Sequence, residues 1–176
     1  DGGAGNDHFI IGADGSALSI DGGDTAENEV NTLTGANNKN TWSITDTANS
    51  LNATEKAEGV DKVYVAAFTN INALVAGSEG DTFNINAEFK GSIDGGIGND
   101  IFNLNANVTQ GVQGNDGDDT FNINAILSGA LSGGAGNDHF IIGTNGSALS
   151  IDGGEGKDTL TGSDNDSTWL ISETNN

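Results

Sequence analysis

Apolar residues recur along the chain with a period close to 19 residues. The most regular series is aromatic, keeps a spacing of 19 and is followed 20 residues later by Leu160: Phe83, Phe102, Phe121 and Phe140. Two further series run beside it with spacings of 18 to 20: Val75, Ile93, Val112, Leu131 and Ile151, and Ile71, Phe89, Val108 and Leu127. This period is too short for repeats built from helix pairs.

Around each aromatic position, apolar and polar residues alternate, as in Phe-Asn-Ile-Asn at 83–86 and Phe-Asn-Leu-Asn at 102–105. Alternation with period two indicates short strands with one buried face. Strands that recur at this interval can stack in register, each inward side chain resting on its equivalent about 4.8 Å along the stack. The pattern predicts an all-β fold, a right-handed parallel β-solenoid (β-roll or β-helix-like) with rungs of about 19 residues.

Asparagines at the polar positions of these strands form two rows in the predicted stack: Asn84, Asn103 and Asn122, and Asn86, Asn105 and Asn124. Such rows either form a ladder through their side-chain amides or make up a solvated outer face. The sequence leaves both interpretations open.

A larger repeat of about 130 residues contains the short period. Residues 2–23 and 133–154 are identical at 20 of 22 positions. The likeness resumes in two shorter pairs of segments: 31–35 with 158–162, and 41–44 with 168–171. Their equivalent tryptophans, Trp42 and Trp169, lie in strand-like segments and are predicted to pack in the core rather than to bind sugars.

This repeat predicts one solenoid segment over 1–176, with one repeat unit over 1–131 and the start of the next over 132–176. Because Asp1 begins in the middle of a motif, the chain is expected to be cut from a longer protein.

Residues 24–80 follow the pattern less well. Within them, Trp42–Ile44 and Val63–Val65 resemble strands, whereas the polar stretch Asn49–Gly59 predicts a loop.

The charge balance is strongly acidic: 5 basic residues, all lysine, stand against 26 Asp and Glu, giving a net charge of −21. Nucleic acid and anionic membrane surfaces are excluded as partners, because both require clustered Lys and Arg. No apolar run is long enough for membrane insertion, and without Cys there is no disulfide or thiolate metal site. The carboxylates either bind cations or keep the protein soluble.

Glycine-rich turns precede the aromatic positions and share one pattern, Gly-Gly-x-Gly-x-Asp followed by an apolar residue two positions on. The pattern occurs at 2–9, 95–102, 133–140 and 153–160, and at 114–121 with Asn115 in place of the second glycine. These turns resemble the G-G-x-G-x-D-x-U-x nonapeptide of RTX proteins. One match would be weak in a glycine-rich chain, but five matches, four of them regularly spaced, are specific.

The resemblance implies a β-roll-like module that holds Ca²⁺ between stacked turns, through the motif Asp and backbone carbonyls. The implied metal ligands lie at these positions: Asp7, Asp100, Asp119, Asp138 and Asp158, with Gly95, Gly98, Gly114, Gly117, Gly133, Gly136, Gly153 and Gly156. Ca²⁺ takes six to eight oxygen ligands in flexible geometry, and stacked carboxylates repel by roughly 1 kcal/mol per pair even in water. Alternatively, each Asp bonds backbone amides of its own turn without metal.

The pattern departs from the family because each rung carries one full motif and one degenerate half, as at 106–110. Calcium is therefore expected along a single edge. The turn at Gly77–Asp81 is one residue short and that at Asp21–Gly23 lacks its downstream Asp, so neither is expected to bind metal.

No catalytic constellation is found, so the chain is expected not to be an enzyme. It has no Arg, its five lysines are scattered, and His8 and His139 occupy equivalent variable positions of the motif, which predicts surface residues.

Three functions fit these observations. The first is a structural, calcium-stabilised repeat module of a secreted bacterial cell-surface adhesin or biofilm-matrix protein. Its expected partners are calcium ions, neighbouring repeats, and surface polysaccharide or another cell. The second is an accessory RTX module of an extracellular enzyme. The third is an ice- or polysaccharide-binding face along a threonine row that Ile101 and His139 interrupt: Thr82, Thr120 and Thr159.

Overall fold

A computed structural model describes residues 1–12, 14–24, 29–47, 49–53 and 63–163. This part of the chain is all-β and contains no helix; its strands are β1 (His8–Ile10), β2 (Ala17–Asp21), β3 (Thr32–Thr34), β4 (Asn40–Ile44), β5 (Asn49–Ala53), β6 (Val63–Thr69), β7 (Ala73–Val75), β8 (Thr82–Ile85), β9 (Ser92–Asp94), β10 (Ile101–Leu104), β11 (Gly111–Asp116), β12 (Thr120–Ile123), β13 (Leu131–Ala135), β14 (His139–Ile142), β15 (Ile151–Glu155) and β16 (Thr159–Thr161). No helix of the described residues could therefore span a membrane.

The strands form two open sheets. A seven-stranded sheet has the order β1-β3-β7-β9-β11-β13-β15, and a nine-stranded sheet has the order β16-β14-β12-β10-β8-β4-β5-β6-β2. All pairings are parallel except those of β5 with β4 and β6, which are antiparallel. From β7 onward, consecutive strands alternate between the two sheets.

The 19-residue period corresponds to strand register. In the nine-stranded sheet, Phe102 pairs with Phe83 on one side and with Phe121 on the other. Phe121 pairs in turn with Phe140, and Phe140 with Leu160. The predicted in-register stacking of parallel strands is therefore confirmed over the regular part of the chain.

An aromatic column runs through the core. Its members are almost fully buried and stack face to face, with centroids 5.5, 5.1, 4.7 and 4.6 Å apart in succession: Trp42, Phe83, Phe102, Phe121 and Phe140. Burial of such a side chain contributes about 1.5–3 kcal/mol. The core position predicted for Trp42 is confirmed, whereas Trp169 and segment 168–171 lie outside the described residues.

The other two apolar series also reach the core. The series that begins at Ile71 is buried throughout. In the second series, Ile93, Val112 and Leu131 are buried and Ile151 is half-buried. The assignment of Val75 to this series is wrong, because Leu74, which is 1% exposed, pairs with Ile93, whereas Val75 pairs with Asp94.

Irregularity is concentrated where β4, β5 and β6 form an antiparallel meander within the nine-stranded sheet. The strands predicted at Trp42–Ile44 and Val63–Val65 are confirmed as parts of β4 and β6. The predicted loop is wrong over residues 49–53, which form β5, because Leu51, the one large apolar residue there, is fully buried opposite Trp42. Residues 54–59 lie outside the described part.

Equivalent strands of the two nearly identical segments lie in opposite sheets. Strand β1, from the first copy, is in the seven-stranded sheet, whereas its equivalent β14 is in the nine-stranded sheet. Phe9 consequently pairs with Leu33 and is half-buried, whereas Phe140 stacks on Phe121 and is buried. Nearly identical sequences thus have different neighbours, so the first motif lies apart from the equivalent motif at 133–140.

Candidate metal site at the glycine–aspartate turns

Four of the five glycine-rich turns lie at equivalent places. They connect β9 to β10, β11 to β12, β13 to β14 and β15 to β16, so each leads from the seven-stranded into the nine-stranded sheet. Parallel pairing of the flanking strands places the turns one above another. Each motif aspartate lies two residues before its core position in the next strand, and these four form one column: Asp100, Asp119, Asp138 and Asp158.

One carboxylate oxygen of each aspartate accepts a hydrogen bond from the neighbouring turn. The backbone N–H of each aspartate donates to Oδ1 of the next: Asp81 to Asp100 at 2.6 Å, Asp100 to Asp119 at 2.7 Å, Asp119 to Asp138 at 2.9 Å and Asp138 to Asp158 at 3.0 Å. These bonds fix the carboxylates in the stack. They link neighbouring turns, unlike the metal-free alternative in which each aspartate bonds its own turn.

The second carboxylate oxygen has no partner in three successive turns. Asp100, Asp119 and Asp138 are each 1% exposed, and the Oδ2 atom of each is buried without a hydrogen bond. A buried acceptor left unsatisfied costs about 1–3 kcal/mol, and more if it is charged. A proton or a cation at Oδ2 would remove this cost.

Backbone carbonyls face the same space as the orphaned oxygens. A Cβ added at Gly95 would collide with Oδ2 of Asp100 and lie 2.9 Å from the Gly114 carbonyl oxygen. Equivalent pairs surround Gly114 and Gly133, where such a Cβ would meet the next turn's carbonyl oxygen at 2.6 and 2.5 Å, respectively. The first glycine of the motif is thus required because a carboxylate and a carbonyl occupy the position of a side chain.

Burial and mutual proximity disfavour the charged carboxylates. Burial raises the pKa of Asp100 to about 8 and that of Asp119 to about 7, and neighbouring carboxylates add to both shifts. Burial also raises the pKa of Asp138. Bound cations would reverse this preference, because they stabilise the ionised form.

The remaining glycines set the backbone of the turn. Positive φ angles recur at the fourth motif position, between 124° and 141°, in Gly98, Gly117, Gly136 and Gly156. The second position also has positive φ, and Asn115 adopts 75° there. Asn is among the few residues that tolerate this region, so the substituted motif keeps the same backbone.

The donor set fits calcium. Within the described ranges, no three His, Cys, Asp or Glu side chains converge as a metal-binding group. A cation at these turns would therefore draw on the aspartate carboxylates and, for most of its ligands, on backbone carbonyls. Both are hard oxygen donors of the kind that Ca²⁺ prefers.

Asp158 and Asp7 differ from the three central aspartates. Asp158 is half-buried in the last described turn, with Oδ2 against Gly153. Asp7 precedes β1 of the seven-stranded sheet, and its N–H donates to Oδ1 of Asn31 at 3.0 Å. Its Oδ2 is also buried and unpartnered, but it belongs to a separate ladder. The five motif aspartates therefore do not share the single edge predicted from the sequence.

Asp81, in the shortened turn, has donors at both carboxylate oxygens. The N–H of Asn40 donates to Oδ1 and that of Gly77 to Oδ2, the latter at 3.2 Å. Burial raises the pKa of Asp81 to about 6. Unlike Asp100, this carboxylate is satisfied by the protein itself.

Two buried asparagines, Asn31 and Asn40, occupy the aspartate position in other turns, and sequence analysis did not identify them as equivalents. Each lies two residues before a core position, as Asp100 does before Phe102. For Asn31, the signal was present in the likeness between 31–35 and 158–162, which aligns it with Asp158.

The outer faces carry the predicted polar rows. Both asparagine rows are hydrogen-bonded ladders, with Nδ2 to Oδ1 distances of 2.9 Å throughout. His8 is exposed and His139 half-buried, and Nε2 of each lies within hydrogen-bond distance of a threonine hydroxyl, Thr34 at 2.7 Å and Thr161 at 3.2 Å.

Comparison with known protein families and with characterised proteins finds no match to the chain.

Proposed function

We propose that the chain is a structural, calcium-stabilised repeat module of a secreted bacterial cell-surface adhesin or biofilm-matrix protein. The observation that carries the proposal is the series of three buried, unpartnered Oδ2 atoms, each facing a backbone carbonyl of the next turn. Three consecutive unsatisfied acceptors at one repeated place support the proposal of a ligand that supplies positive charge. The similarity of the turns to RTX repeats supports calcium as that ligand.

The proposed architecture is a right-handed parallel β-solenoid. Strict alternation of strands between two sheets, with a 19-residue register, is what a coil of two strands per rung produces. Right-handed crossover is the rule for parallel strands joined in this way.

Calcium would supply the positive charge that the carboxylate column lacks. The residues of the chain do the rest: N–H groups orient Oδ1, and glycines bring carbonyls to Oδ2. Metal that binds only the folded turns adds its binding free energy to folding. With a net charge of −21 on the chain, the aspartate turns would remain unfolded where calcium is scarce and fold outside the cell.

Repetition itself supports a mechanical role. The site consists of copies along one column rather than of one unique constellation, so it serves cohesion between neighbouring turns. The proposed partners are calcium, adjacent repeats of the same chain, and the polysaccharide or cell to which the parent protein attaches. No enzymatic step is proposed.

Far-UV circular dichroism and thermal melting in EDTA, followed by titration with calcium and with magnesium as a control, test the proposal. Calcium should increase the β signal and raise the melting temperature, and magnesium should not. At a free concentration of 100 times Kd, each site adds about 2.7 kcal/mol. Identical spectra and melts in EDTA and calcium would contradict the proposal.

A further inference from the structure

We infer that the described residues from β3 to β7 form a metal-independent platform, in which asparagine amide nitrogens take the role that the proposed cation has at the Asp100, Asp119 and Asp138 turns. The inference rests on the proposed calcium function and assigns it to one part of the chain.

The asparagines occupy the same structural place as the aspartates. The N–H of Asn40 donates to Oδ1 of Asp81, which continues the aspartate column by one member. Likewise, the N–H of Asn31 donates to Oδ1 of Asn72 at 2.8 Å in the separate ladder that begins at Asp7. In each case, Oδ1 of one member accepts the backbone N–H of its neighbour.

The second side-chain atom is where the two kinds of turn differ. Nδ2 of Asn31 donates to the carbonyl oxygens of Gly22 and Asn70 at 2.7 and 3.1 Å. Nδ2 of Asn40 donates to those of Ala36 and Asn38 at 2.9 and 2.6 Å. In the aspartate turns, the position of the Nδ2 donor is occupied by an acceptor, Oδ2.

This exchange changes the requirements of the turn. An amide and a carboxylate have nearly the same shape, but an amide brings two N–H donors and no charge. Carbonyls that would coordinate a cation beside Asp100 instead accept hydrogen bonds from the side-chain amides beside Asn31 and Asn40. Only Oδ1 of Asn40, where its ladder ends, is unpartnered among these atoms.

The core of this segment is dense without metal. Eight apolar or aromatic side chains of β3 to β7 are at most 2% exposed: Leu33, Trp42, Ile44, Leu51, Tyr64, Val65, Phe68 and Leu74. Trp42 stacks on Phe83 at 5.5 Å, and β4 pairs in register with β8. The platform thus offers a preformed edge on which the metal-dependent strands can stack.

Hydrogen–deuterium exchange of the full 176-residue chain, resolved by peptide and measured in EDTA and in calcium, tests the inference. In EDTA, amides of 31–47 and 63–76 should remain protected, whereas those of 95–158 should exchange at least about tenfold faster than in calcium, as loss of a buried partner implies.

The variant Asn40→Asp removes the amide donor while keeping the shape of the side chain. It should lose protection of 31–47 in EDTA. Asn99→Asp is the matched control, because Asn99 is exposed and Asp118 already serves the same role one turn along. It should leave protection of 31–47 unchanged.

The outcomes separate the inference from the function on which it rests. If both regions lose protection in EDTA and regain it in calcium, the platform is refuted and the calcium function stands. If neither region responds to calcium, the calcium function fails, and the inference fails with it.

Discussion

The two halves of the described molecule differ in how the polar groups of their turns are satisfied. Beyond β8, turns repeat at intervals of 19 to 20 residues and end in aspartates, three of which have an unpartnered oxygen. Between β3 and β7, spacing is irregular, an antiparallel strand intervenes, and the equivalent turns end in asparagines whose amides are bonded. Both halves bury a continuous core. The difference lies in what satisfies the backbone carbonyls of the turns, an internal amide or an external ligand.

The largest expected effect concerns the aromatic column that the two halves share. Phe102→Ala in calcium should cost about 3–5 kcal/mol, because it opens a cavity between two stacked rings. The melting temperature should fall by about 10 °C or more. Ile101→Ala, a neighbouring residue that is 41% exposed, is the control and should cost far less. Equal losses in the two variants would show that the column does not carry the stability.

The pH dependence of metal-free stability should distinguish the halves. The pKa values of Asp100 and Asp119, about 8 and 7 in the folded state, lie above the unfolded value of about 3.9. The folded chain therefore binds more protons than the unfolded chain across this interval, so stability falls as pH rises. In EDTA, the melting temperature should be higher at pH 5 than at pH 8.

Variants that remove the same number of charges can show which aspartates cause the decrease of metal-free stability with pH. Asp100→Asn with Asp119→Asn should flatten the profile. Asp116→Asn with Asp152→Asn, which removes two exposed carboxylates, should keep the slope. A wild-type melting temperature that rises between pH 5 and pH 8 in EDTA would contradict the assignment.

A smaller effect is expected at the backbone of the aspartate turns. Gly117 has a φ of 141°, and a Cβ there would collide with the carbonyl of Gly98. Gly117→Ala should cost about 1–3 kcal/mol in thermal or urea unfolding. Gly12→Ala is the control, since nothing lies within 4 Å of its Cβ position. A neutral Gly117→Ala would mean that the turn can adopt another conformation.

The smallest effect should come from the outer amide ladder of the regular half. Asn103→Ala removes hydrogen bonds to Asn84 and Asn122, which together contribute about 1 kcal/mol at a partly solvated surface. Gln113→Ala, on the outer face of the other sheet, should be nearly neutral. Urea unfolding can distinguish the free energies of unfolding of these two variants. Equal losses in both would show that the amide ladder adds no stability.

Much of the regular half could be predicted from the sequence because its pattern is local. Strand alternation and a constant interval place Phe83 against Phe102 and Asp100 against Asp119 without knowledge of the connections. These features were predicted and are confirmed. The occupation of the site by calcium remains a prediction.

The irregular half depends on non-local contacts that a repeat cannot show. Strand β5 has one inward apolar residue, Leu51, in a polar stretch, and its partners follow only from the meander. The opposite sheets of β1 and β14 likewise depend on how many strands intervene. Asn31 and Asn40 differ from aspartate by one donor group, whose role appears only beside the carbonyls that it meets.

Isothermal titration calorimetry with calcium tests the central claim most directly. The wild-type chain should be compared with the triple variant Asp100→Asn, Asp119→Asn and Asp138→Asn. The account predicts that the wild type binds calcium, and that the triple variant loses this binding yet folds in EDTA, because its amides bond the turn carbonyls. Calcium binding by the triple variant equal to that of the wild type would contradict it.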